Sequence, residues 1–79
     1  MFKRRIGPDP HADNAMSVST AGCPDIWELA NGDFAIIGRD ETDSLTPLLP
    51  AGANCAVEER IVVIPRRTLT MAKNDIPAV

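Results

Sequence analysis

Long apolar runs are missing from this 79-residue chain. Nothing in it approaches the ~18 consecutive apolar residues of a membrane-spanning helix, so no helical anchor is expected. The opening MFKRRIGPDPHADNAM has the cations of a secretory leader without the hydrophobic segment that should follow them. The expected location is therefore the cytoplasm. Cysteine is scarce: Cys23 and Cys55 stand alone, and in a reducing compartment two thiols are expected, with a single disulfide as the alternative. With one histidine, His11, they make no recognisable metal-ligand spacing, and no cofactor is expected. A cationic surplus is missing too. The formal net charge is −3, which argues against a general nucleic-acid binder. There is no glycine-rich phosphate loop. Ser17, Ser19 and Ser44 lack a histidine partner in the part expected to fold, and neither cysteine has a neighbouring base, so an enzyme is not expected.

What remains is the composition of an ordinary small globular protein, 44% hydrophobic and 24% charged, with Phe2, Trp27 and Phe34 as its aromatics. The length allows one domain at most. A chain this size withdraws only about 60% of its unfolded surface from water, so its core stability is marginal. Residues 1–22, ending in GPDPHADNAMSVSTAG, show neither helical nor strand periodicity and too little apolar surface to offset ordering entropy. They are expected to form a disordered N-terminal tail with a small positive charge. Residues 23–79 are expected to form a small, acidic α+β domain.

The clearest element is the stretch ELANGDFAIIG, residues 28–38. Asn31-Gly32 has the chemistry of a two-residue type I′ turn, which predicts a hairpin from Ile26–Ala30 to Asp33–Gly38. In that register Leu29 faces Phe34, Trp27 faces Ile36 and Ile26 faces Ile37. One face then carries Trp27, Leu29, Phe34 and Ile36, and the other Ile26, Glu28, Ala35 and Ile37. A slip of one residue would exchange the faces. The run Arg60–Ile64 predicts a third strand buried on both sides. RRTLTMAK, behind Pro65, predicts about two helical turns with Leu69, Ala72 and Met71 inward, ending near Asn74. The connection 39–59 is long enough to need structure of its own, and Leu45, Leu48 and Leu49 are expected to pack on the sheet. The fold class is α+β: a small three-stranded sheet built on an Asn-Gly hairpin, with one short C-terminal helix.

Both hairpin faces are greasy. The bulkier set is the expected core side, which leaves Ile26, Ala35 and Ile37 for a second cover. A second copy or another protein would supply it, or the long connection would fold back over it. The expected partner-binding set is Ile26, Glu28, Ala35 and Ile37, with the acidic residues Asp40 and Glu41 fixing register against a basic partner. Asp40, Glu41 and Asp43 lack the spacing of a calcium loop, and Asp43 or Ser44 is the expected helix start. Arg66 and Arg67 oppose the dipole at the start of the terminal helix. They are candidates to hold an anion, unless Glu58 and Glu59 simply neutralise them. The alternative function is an anion- or nucleic-acid-binding site built from Arg39, Arg60, Arg66 and Arg67.

The layout of a Cys followed by Trp27, then ELANGDFAIIGRD, then IVVIP and a short helix resembles small, functionally uncharacterised actinobacterial proteins. Those are often encoded beside helix-turn-helix regulators, in developmental and toxin–antitoxin-like gene pairs. The resemblance implies a protein-binding accessory of a transcription regulator and implies no catalytic residues.

Overall fold

A computed structural model describes residues 1–10 and 23–78. Its main sheet is antiparallel with three strands in the order β1 (Phe2–Arg5), β2 (Asp25–Leu29) and β3 (Phe34–Ile37). The third strand is thus not the 60–64 run but the very start of the chain. Residues 1–10 do not form the expected tail, and the rest of that segment, 11–22, lies outside the described residues. β1 belongs because its alternation fits: Arg4 lies opposite Glu28 and bonds it at 2.9 Å, and Arg5 lies opposite Trp27. Ile6, just past the strand, donates its N–H to the Ile26 carbonyl at 2.8 Å and is almost fully buried.

The hairpin register differs from the expected one by one residue. Trp27 pairs with Ala35, Ile26 with Ile36 and Glu28 with Phe34. The cause is the turn. Gly32 N–H donates to the Leu29 carbonyl at 3.0 Å, closing a turn with Ala30 and Asn31 at its centre, and Leu29 N–H donates to the Asp33 carbonyl at 2.8 Å. Gly32 follows at φ 96, a left-handed conformation that costs glycine nothing. This is a three-residue loop with a bulge, not a type I′ turn. Asn31 serves it through its side chain, whose Oδ1 accepts from Asp33 N–H at 2.9 Å.

The slip redistributes the faces. Ile6, Ile26, Glu28, Phe34 and Ile36 share one side, and Phe2, Arg5, Trp27, Ala35 and Ile37 share the other. The first side is the core side. Helix α2 (Arg66–Ala72) packs there, and Ile6, Ile26 and Ala72 form the buried hydrophobic centre, with Ile64 against it. Within α2 the buried residues are Thr68 and Ala72; Leu69 and Met71, expected inward, are exposed. A 3₁₀ turn over Lys73–Asp75 extends the helix, and Asp75 ties it to the N-terminal segment by accepting from Arg4 and from Gly7 N–H.

Beyond Ile37 the chain leaves the sheet. β4 (Arg39–Asp40) pairs with β5 (Val62–Val63) in a separate two-stranded ribbon. The expected five-residue strand is therefore two residues long, and Val62 is exposed rather than buried on both sides. Gly38 makes the crossing. A Cβ there would lie 2.8 Å from both the Val63 carbonyl oxygen and Ile64 Cγ2, closer than real side chains approach. The connection holds a second short helix, α1 (Thr42–Leu45), and a 3₁₀ turn at Thr46–Leu48. Asp40, not Asp43 or Ser44, holds the helix start, accepting from Thr42 N–H at 3.0 Å and from its hydroxyl at 2.7 Å. Leu48, expected on the sheet, is 73% exposed, while Leu45 and Leu49 are half-buried.

Candidate interaction surface

Ile26 is the floor from which the candidate site is built. Its side chain is buried on the core side of β2, opposite Ile36 and two pairs along from Phe34. α2 crosses this side deepest at Ala72. One turn nearer its start, Leu69 stands off the sheet, and past its end Ile76 does the same. Between β3 and the helix there remains an apolar groove of about 180 Å3, lined by Ile26, Phe34, Ile36, Leu69 and Ile76. The four wall residues are 42%, 45%, 55% and 47% exposed, in that order along the chain. A helix bearing a larger residue at position 72 would stand further from the sheet and widen the groove. Ala72 sets the helix close and leaves the groove shallow.

The opposite face has its own cover, which the sequence reading did not foresee. Arg5 lays its guanidinium 4.5 Å from the Trp27 ring centre, and Phe2 meets the same ring edge-on at 5.8 Å. Asp25 binds this group from below. Its carboxylate accepts from Arg5 at 3.0 and 3.1 Å and from Trp27 Nε1 at 2.9 Å. The short fork to Asp25 raises the Arg5 pKa and fixes the guanidinium over the ring. The segment expected to be tail therefore shields Trp27, while Ile37 on the same face stays exposed.

The residues expected to bind a partner are divided among three places. Ile26 and Glu28 are buried, Ile26 as the floor of the groove on the core side and Glu28 against Arg4, so neither stands on a free outer face. Their assignment to a free face followed from the register that the turn overturns. Ala35 and Ile37 share the Trp27 face, Ala35 half-buried and Ile37 exposed. Asp40 and Glu41 sit on the ribbon, away from both faces of the hairpin, with their charges already matched. Asp40 accepts from Arg60 at 2.9 and 3.1 Å, and Glu41 accepts from Arg39 at 2.6 Å and from the Ser44 hydroxyl at 2.8 Å. The Thr42 hydrogen bonds, then Arg60, hold Asp40 well down, to about 2. Ser44, then Arg39, lowers Glu41. The depression of about 290 Å3 beside them is lined by these paired groups, Asp40, Glu41, Ser44 and Arg60, together with Asp43.

The same pairs engage two of the four arginines of the expected anion site. Arg39 and Arg60 belong to the carboxylates of residues 40 and 41, while Arg66 and Arg67 are exposed at the start of α2. Of their two expected partners, Glu59 accepts from Ala56 N–H of its own loop at 2.8 Å. Cys23 and Cys55 are half-buried and enter no disulfide. Among the described residues no three metal-ligating side chains converge, and no helix is long and apolar enough to cross a membrane.

Of the groove walls, Phe34, Ile36 and Leu69 are expected core residues from the sequence, and the structure leaves them about half exposed. The missed signal is Ala30-Asn31-Gly32 read as a three-residue loop, which moves Phe34 and Ile36 to the side of Ile26. Ile76, flanked by Asp75 and Pro77, carried no signal of its own. Comparison of the chain with protein-family models, with curated proteins and with solved structures finds no match.

Proposed function

We propose that this chain is a non-enzymatic protein-interaction module whose docking surface is the groove between β3 and α2. It would act by self-association or as an accessory of a transcription regulator. The observation that supports the reading is that four large apolar side chains line one groove and each remains roughly half exposed. Fully burying such a side chain is favourable by about 1.5–3 kcal/mol, so covering the exposed half of all four amounts to roughly 3–6 kcal/mol. That is comparable to the whole stability of a small domain, about 4–12 kcal/mol at this length. Exposed apolar residues scattered singly need no explanation, but a contiguous groove of them does.

The experiment compares the parent with Leu69→Glu and Ile37→Glu. Leu69 lines the groove without contributing to the buried core, and Ile37 is an equally exposed isoleucine on the opposite face. Each variant should keep the parent's circular dichroism. Self-association, or binding of a partner recovered with the immobilised parent and then purified, should be lost with Leu69→Glu and kept with Ile37→Glu. Association that survives Leu69→Glu would refute the groove as the docking surface.

A further inference from the structure

We propose that the occupant of the groove is a second copy of this chain, docked antiparallel along the open edge of β3 so that the two three-stranded sheets become one. This rests on the interaction reading above and names its partner.

The two edges of the sheet are not alike. The β1 edge carries Lys3 and Arg4 and is broken by a bulge between Phe2 and Arg4, both devices that discourage strand addition. The β3 edge is Phe-Ala-Ile-Ile, with no charge, proline or bulge. Among the described residues the sheet ends there, and no strand pairs with its outer side.

The hydrogen-bond alternation shows which groups are open. Leu29 N–H bonds the Asp33 carbonyl, marking that pair as a bonded one. Bonded and non-bonded pairs alternate along an antiparallel ladder, so Trp27–Ala35 and Asp25–Ile37 are bonded, and Glu28–Phe34 and Ile26–Ile36 are not. The other side of β2 agrees, because the Ile26 carbonyl is engaged with Ile6 of the N-terminal segment instead. Phe34 and Ile36 therefore direct their N–H and C=O groups to the open edge. These are also the two residues whose side chains form the groove wall. Edge and groove are one surface.

A two-fold axis at Ala35 satisfies both. It sets Phe34 opposite the partner's Ile36, and Ile36 opposite the partner's Phe34, each pair exchanging both of its N–H···O bonds. Their side chains, aromatic against β-branched, meet on the groove side. Ala35 faces its own copy across the axis, on the other side of the sheet, where its small side chain permits the approach. Charge agrees with this direction. Antiparallel docking keeps Asp33, at one end of the strand, away from the partner's Asp33, whereas parallel docking would set the two carboxylates side by side.

The test is sedimentation equilibrium of the whole chain between about 10⁻⁶ and 10⁻³ M, with amide exchange measured at both ends of that range. A dimer is expected, and the Phe34 and Ile36 amides should become protected as it forms, while the Ala35 and Ile37 amides are protected throughout. Ile36→Pro removes a donor that faces only the open edge, a place where strands tolerate proline. It should keep the circular dichroism and weaken self-association at least about tenfold. Ala35→Cys, with Cys23→Ser and Cys55→Ser, should oxidise to a covalent dimer, because residues opposed in a non-bonded pair sit about 4.5 Å apart at Cα, within disulfide range. A monomer across the whole range would overturn the second copy; if a purified foreign partner still binds in a Leu69-dependent way, the groove reading stands without it. A dimer whose Phe34 and Ile36 amides exchange as fast as in the monomer would overturn the edge geometry.

Discussion

Replacing Ile6 by alanine tests whether the first residues of the chain are part of the folded body. Ile6 is 3% exposed and is one of the three residues of the hydrophobic centre, with Ile26 and Ala72. Cutting a buried isoleucine back to alanine costs about 2–5 kcal/mol, depending on how far the site can collapse. Here the core is thin and the groove lies beside it, so the surroundings can close in, and the expected loss is about 2–3 kcal/mol. Against a total of about 4–12 kcal/mol this is a large fraction. With a urea slope near the low end for small proteins, about 1 kcal/mol per molar, the midpoint should fall by roughly 2–3 M. Trp27 is the sole tryptophan and sits beneath Arg5 of β1, so its emission reports both global unfolding and detachment of the strand. Phe2→Ala is the control. That ring is 61% exposed and touches Trp27 only edge-on, so the change should cost no more than about 1 kcal/mol. If Ile6→Ala moved the midpoint no further than Phe2→Ala, the N-terminal strand would not be held as described, and the cover assigned to Trp27 would fail with it.

Asp25→Ala leaves the Arg5 guanidinium and Trp27 Nε1 without their shared acceptor; about 1.5 kcal/mol of stability should be lost, at the low end for a charged bond because Arg5 still reaches water, and an unchanged urea midpoint would contradict this. Asp40 should titrate in the folded chain at about 2, below its ordinary 3.8. The unfolded chain takes up that proton first, so the contribution of the Asp40 bonds is complete above about pH 4 and lost as pH falls through about 2. A carboxyl carbon titration with its inflection near 4 would show that the Thr42 and Arg60 bonds are not made in solution. Thr68 is buried with its hydroxyl unpartnered among the described residues, so Thr68→Val should raise stability by about 1 kcal/mol in thermal unfolding, and a loss of that size would mean the hydroxyl is bonded.

The sequence made the mixed helix–strand class legible, along with the pairing of 26–29 with 34–37 and the helix behind Pro65. Each rests on local chemistry: a glycine-bearing turn between apolar runs, and a proline at a helix start. The register was not legible, because Asn-Gly suits both a two-residue loop and the last positions of a three-residue one, and the choice between them inverts the face of every residue in β3. Nor was the first strand. Phe-Lys-Arg-Arg reads as a solvated basic start, and only the distant Glu28, Asp25 and Trp27 give Arg4 and Arg5 their places. The 60–64 run failed for a similar reason. Its β-branched residues do favour extended backbone, but the partner strand is a dipeptide, since Gly38 turns the chain out of the main sheet just before it.

The bulge in β1 bears on how large an assembly can grow. Joining two molecules along β3 would leave a six-stranded layer whose outer margins are both β1, each offset at Phe2/Arg4 and carrying the exposed cation Lys3. Such a margin repels its own kind, so strand-by-strand addition would end at the pair and no fibre would follow. Straightening that offset by deleting Lys3 would remove the stop along with one of its charges, and a chain so altered should be the one that precipitates.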